Sequence, residues 1–173
     1  PSYELKHPGD IPPIRYLING NPNSFKSGGE ANVYKAYDMH LNRYTAFKRK
    51  AHYSNATLNT AIQEGRINAK LEHPHIQRVY QLVKSQTSPP VRMLYDREEN
   101  EMISTQWIDG PSGLDLLKKA IETGEGLAPT LICKIATEIG SAISYAHAQG
   151  TIHCNITLPN ILLRASDYHS FLV

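Results

Sequence analysis

The stretch HCNITLPNILL, residues 153–163, sets a histidine, a polar residue two places on and an asparagine five places further ahead of an apolar run. The spacing suits a loop that works on a phosphoryl group. A histidine can anchor such a loop by hydrogen bonds, and an asparagine oxygen can ligate a hard cation such as magnesium. A carboxylate between them would accept the proton of an attacking hydroxyl. The middle position here is Asn155, an amide, and an amide is no base near neutral pH. In isolation the stretch also reads as an ordinary polar turn, so its meaning depends on its surroundings.

Immediately upstream, Ile132, Ile135, Ile139, Ala142, Ile143 and Ala146 recur at helical spacing. Pro129 sits in the first turn and Gly150 just past the end, so a helix is expected from about Pro129 to Gln149. Nearer the start, ANVYKAYDM (31–39) and YTAFKRKA (44–51) alternate around HLNR, the pattern of a hairpin. NATLNTAIQEGRINAKLE (55–72) reads as a helix weakened by Gly65. QRVYQLVKSQ (77–86) reads as a strand, and VRMLYD (91–96) with EMISTQWI (101–108) as a strand pair joined by REEN. Pro8, Pro12 and Pro13 make residues 1–14 an extended arm.

The 173 residues are 40% hydrophobic and 20% charged, enough apolar material for a packed core. A formal charge of +2, spread rather than clustered, does not indicate a nucleic-acid surface. No apolar run reaches the roughly 18 residues of a membrane span. Cys133 and Cys154 form neither a metal spacing nor a disulfide framework. With no secretory pattern in the first residues, the expected setting is the reducing cytoplasm. A start on Pro1 suggests a segment of a longer polypeptide.

Two further groups could carry chemistry. Gly28 and Gly29 stand in a turn before a strand, where glycine lets backbone N–H groups approach phosphates; adjacent glycines also mark ordinary hairpin turns. Lys48 follows Ala46 and Phe47 in a strand, and Glu64 lies on the next helix. A strand lysine held by a helix carboxylate makes a phosphate clamp; two solvated charges are the plainer alternative. His153, Asn155 and Asn160 form the loop described above.

In order and spacing these segments resemble the eukaryotic-type serine/threonine protein kinases, from about Phe25 to Val173. SGGEANVYKA is similar to the glycine-rich loop and its strand, YTAFK to the V-A-I-K element, and HPHI (73–76) to the family's His-Pro-Asn-Ile. STQWIDG (104–110) resembles the gatekeeper and hinge, and HCNITLPN the H-R-D-x-x-x-x-N loop. The resemblance implies an α+β fold with a five-stranded antiparallel sheet and helix C over 15–108. A partial helical lobe follows over 109–173, with helices D and E and the degenerate catalytic loop, ending before the expected Asp-Phe-Gly. It assigns ATP and magnesium as cofactors. Val33, Ala46 and Leu162 would sandwich the adenine, Thr105 would be the gatekeeper, and Gln106 to Ile108 would face the base. Lys48 and Glu64 would be the phosphate lysine and its partner, and Asn160 the magnesium ligand.

Departures from the pattern cluster on the chemistry. Lys26 and Ala31 stand where the family has its first and third loop glycines, and Glu30 adds a negative charge. Asn155 replaces the catalytic aspartate, Thr157 the lysine two places on, and Cys154 the arginine; His153 is kept. Asn68 replaces an apolar residue one turn beyond Glu64. The expected function is therefore a pseudokinase: a regulatory or protein-docking domain without catalysis, whose ATP binding is weakened or lost. An active serine/threonine kinase fragment with an atypical loop and a purely structural module are the alternatives. The apolar end, Phe171 to Val173, is expected to be covered by a partner or by the rest of a larger polypeptide.

Overall fold

The structure, a computed structural model, describes residues 16–18, 25–27, 31–50, 67–84, 91–93 and 101–173. The chain divides into two compact units, one of residues 1–66 and 79–107, the other of residues 67–78 and 108–173. The expected arm (1–14), Gly28, Gly29, Glu30, Glu64 and the expected helix up to residue 66 lie outside the described residues.

The first unit is a sheet built on the expected hairpin. β3 (Ala31–Asp38) and β4 (Arg43–Lys50) pair antiparallel from Ala31–Lys50 to Asp38–Arg43. The buried Asp38 holds the turn between them, its Oδ1 accepting the His40 and Leu41 N–H groups at 3.1 and 3.2 Å. Asn42 takes a φ of 49°, a region that Asn tolerates better than most residues. The hydroxyl of Tyr37 donates to Asn42 Oδ1, closing the turn from outside.

β5 (Val79–Lys84) and β7 (Glu101–Gln106) lie beyond β4, while β1 (Tyr16–Ile18), β2 (Phe25–Ser27) and β6 (Val91–Met93) lie on the β3 side. The order is β5-β7-β4-β3-β1-β6, with β2 pairing β3. Among the described residues the sheet thus has seven strands rather than five, and the β1–β6 pair is parallel. The expected pairing of 91–96 with 101–108 is also corrected. β7 is paired on both sides, with β4 and β5, and β6 pairs with β1. Phe47, Thr45, Ser104, Thr105, Ala36 and Ala46 are buried in this sheet. Thr45 Oγ1 donates to Thr105 O at 2.7 Å and lies 2.8 Å from Ser104 Oγ, so these buried hydroxyls are satisfied.

The second unit is organised by α1 (Gly113–Thr123) and α2 (Pro129–Ala148). Ser112 and Asp115 form a capping box on α1: Ser112 Oγ accepts the Asp115 N–H, and an Asp115 carboxylate oxygen accepts the Ser112 N–H at 2.8 Å. α2 ends in a Schellman motif. Gly150 at φ 70° lets its N–H reach His147 O while the Thr151 N–H reaches Ala146 O, both at 2.9 Å. Ile139, Ala142 and Ala146 pack with Leu71, Ile76 and Leu172 into one core, with Ile135 and Ile143 at its edge. Ile132 departs from the expected apolar face and is 51% exposed. The helix expected over 55–72 is helical only to Asn68 among the described residues, followed by a turn at 69–70. That break sends Leu71 into the core.

β8 (Ile161–Leu163) and β9 (Ser170–Leu172) form a two-stranded ribbon. Phe171 and Leu172 are 5% and 3% exposed, and Leu172 packs in the core with Leu71, Ile76, Ile139, Ala142 and Ala146. Among the described residues, no helix is long and apolar enough to cross a membrane.

Candidate functional site

In the first unit the register gathers four of the expected nucleotide residues on one face. Val33 lies opposite Lys48, and Ala46 opposite Thr105. Directly opposed residues share a face, and so do residues two apart on one strand. Val33, Ala46, Lys48 and Thr105 therefore form one patch. The Thr105 hydroxyl donates to Ala46 O at 3.4 Å, tying the expected gatekeeper to β4. Gln106 pairs with Thr45 and sits at the end of the ladder. Lys48 is half-buried, and desolvation pulls its ammonium from 10.5 down to about 8. A desolvated cation still charged at neutral pH is suited to an anionic ligand, because the ligand restores what burial removed.

In the second unit the loop of residues 153–160 is held by its own polar groups. His153 Nε2 lies 3.0 Å from Val173 O, and the Asn155 N–H donates to His153 Nδ1 at 3.3 Å. Asn160 Nδ2 donates to Asn155 O at 2.9 Å, and Asn160 O accepts the Val173 N–H at 3.0 Å. Cys154 takes a φ of 60°, which reverses the chain between His153 and Asn155. A single 3-10 turn, Leu158–Asn160, then leads into β8. His153 and Asn160 thus brace the loop, while the Asn155 and Thr157 side chains are exposed. Neither can act as a general base at neutral pH. Leu162 pairs with Phe171 in the ribbon, and Ile108 is buried. Asn68 is exposed.

The segment after Ile108 is laced to β8. Asp109 O accepts the Ala165 N–H at 2.8 Å, and Pro111 O the Leu163 N–H at 2.9 Å. Gly110 between them has no room for a Cβ, which would stand 1.9 Å from Leu163 O.

Sequence reasoning missed one polar cluster in this unit. The Glu138 carboxylate on α2 accepts the Ser170 N–H at 2.8 Å and its hydroxyl at 2.6 Å, and pairs with Lys134 at 3.2 Å. Burial raises its pKa, but the bonds from Ser170 and Lys134 outweigh that and hold it below its ordinary value. His75 Nδ1 is 3.7 Å from Glu138 Oε2, and the His75 and His169 rings stack at 4.3 Å. His73, whose pKa is lowered by burial and by His75, stacks on Tyr145 at 5.1 Å. One signal was readable: Lys134 and Glu138, an i,i+4 pair on an isoleucine-rich helix. Nothing local tied it to HPHI or to His169.

A family profile described as the protein kinase domain matches residues 25–171. The chain belongs to that family. Among curated relatives it is similar to the serine/threonine-protein kinase PknE of Mycobacterium tuberculosis, 28% identical over 82% of this chain and 23% of the relative. It is also similar to PrkC of Bacillus subtilis, 30% identical over 79% and 19% of the two chains, and to PknD of M. tuberculosis, 32% over 82% and 19%. The chain thus spans less than a quarter of the length of these relatives.

Proposed function

We propose that this kinase domain is a pseudokinase: it serves as a regulatory or protein-docking module, retains weak affinity for ATP and transfers no phosphate. The observation that carries the reading is Asn155. The loop around it is braced by His153 and Asn160, yet the position that should take the proton of the attacking hydroxyl holds an amide. Thr157 adds to the loss by removing a cation near the transferred group. Each such contribution is typically worth about 100-fold or more in rate.

Residual nucleotide affinity rests on the Val33, Ala46, Lys48 and Thr105 patch and on the desolvated ammonium of Lys48. Magnesium would have Asn160 as its candidate ligand; the same side chain already donates to Asn155 O. A docking role is supported by Leu117, Ile121 and Ile132, which expose apolar surface around one groove of the second unit.

ATP titration followed by thermal unfolding tests the nucleotide half. The midpoint is expected to rise with ATP in the wild type and to stay level in Lys48→Ala. A level midpoint in both, with and without magnesium, would favour a purely structural module.

A further inference from the structure

We propose that His75, Glu138 and His169 form a binding site for a divalent transition-metal ion of the zinc class. One ligand atom from each lies within 4.8 Å of the other two. Two imidazoles and a carboxylate suit zinc, nickel or copper better than magnesium or calcium. The surroundings fit as well. His75 Nδ1 lies 2.9 Å from Ser170 O, and His169 Nε2 lies 3.1 Å from Pro74 O. His169 can thus give its Nε2–H to Pro74 O and keep Nδ1 as a lone-pair donor, the usual support of a metal-bound histidine. The His75 nitrogen 3.7 Å from Glu138 is the Nδ1 that meets Ser170 O, so an ion bound there takes the place of that contact. Ser170 fixes the carboxylate through its N–H and its hydroxyl. The His75 and Glu138 side chains are each 15% exposed, so an ion can reach them.

Two features oppose the ion, and both can yield. The imidazole planes lie 25° apart in their stack, so the lone pairs converge only after one ring turns. The χ2 torsion of histidine is soft, and His169 can supply that turn at the expense of stretching its contact with Pro74 O. Lys134 Nζ competes for Glu138 at 3.2 Å, but it also bonds Asp167 O and Tyr168 O at 3.1 and 2.9 Å, partners that remain if it is displaced. A bound ion would tie the segment around His75, helix α2 and strand β9 together, and so add to the stability of the second unit.

The test titrates zinc into the untagged, metal-stripped 173-residue chain against a chromophoric chelator, with cobalt absorption as a second readout. The expected result is uptake of about one equivalent, weakened about tenfold or more in His75→Gln and in His169→Gln. His147→Gln, at an exposed position on α2, should bind as the wild type does. Lys134→Met should bind more tightly, because a competing cation is gone. If His75→Gln is unstable without metal, His169→Gln decides. Absence of stoichiometric uptake, or uptake unchanged by His169→Gln, overturns the proposal.

Discussion

Lys48 follows the buried Phe47 on β4, and desolvation brings its pKa from 10.5 to about 8. Below pH 8 the lysine is charged in both folded and unfolded chains, and the folded state bears the whole penalty. Between about 8 and 10.5 the folded lysine loses its proton first, so stability rises with pH across that window. Lys48→Met is therefore expected to stabilise the chain by about 1–3 kcal/mol at pH 7, with the gain fading as pH approaches 10.5. Urea denaturation at pH 7 and pH 10 measures it. A loss of stability at pH 7 would show that the ammonium is already well paired. The places of Lys48 on a strand and of Asn155 in a loop were both legible in the sequence, because local pattern and motif spacing set them. Glu138 was not. Its role comes from Ser170, His75 and His169, brought beside it by tertiary packing.

At the level of elements, two tight junctions carry predictions. Ser170 is fully buried, and its N–H and hydroxyl both end on Glu138. Glu138→Ala leaves them without that acceptor, at a cost of about 2–3 kcal/mol. The expected fall in Tm is roughly 5–10 °C, with faster hydrogen exchange at the β9 amides. A Tm within a degree of wild type would mean that water replaces the carboxylate freely. Gly110→Ala drives a methyl group into the Leu163 carbonyl and is expected to cost more than about 3 kcal/mol. A folded variant of wild-type stability would contradict the close approach. Helix α2 was the most legible element, since Pro129, Gly150 and its isoleucines agree. Its first turn misled at Ile132, where helical spacing continues but the core it should face does not. The hairpin β3–β4 was legible for the same local reasons. The parallel β1–β6 pair was not, because three-residue strands owe their partners to long-range packing.

For the molecule as a whole, order and spacing of weak motifs pointed to the α+β kinase class, and the family match over residues 25–171 agrees. What order could not reveal was the strand count among the described residues and the packing of Leu172 in the core of the second unit. Membership of a family that transfers phosphate does not settle what this member does, because function lies in the site and not in the fold. On the proposed reading, Asn155 and Thr157 stand where a base and a cation would be needed, while the contacts of His153 and Asn160 hold the loop. Restoring the carboxylate alone, as Asn155→Asp, is expected to leave phosphate transfer at background while Thr157 remains. Transfer by that single variant would show the amide to be the sole defect. The central claim meets its most direct test in labelled-phosphate transfer from ATP to a serine/threonine substrate. The assay compares wild type with Lys48→Ala, using the chain alone and any longer polypeptide that carries it. The account predicts that the two are indistinguishable and at background; robust transfer by the wild type, lost in Lys48→Ala, would contradict it.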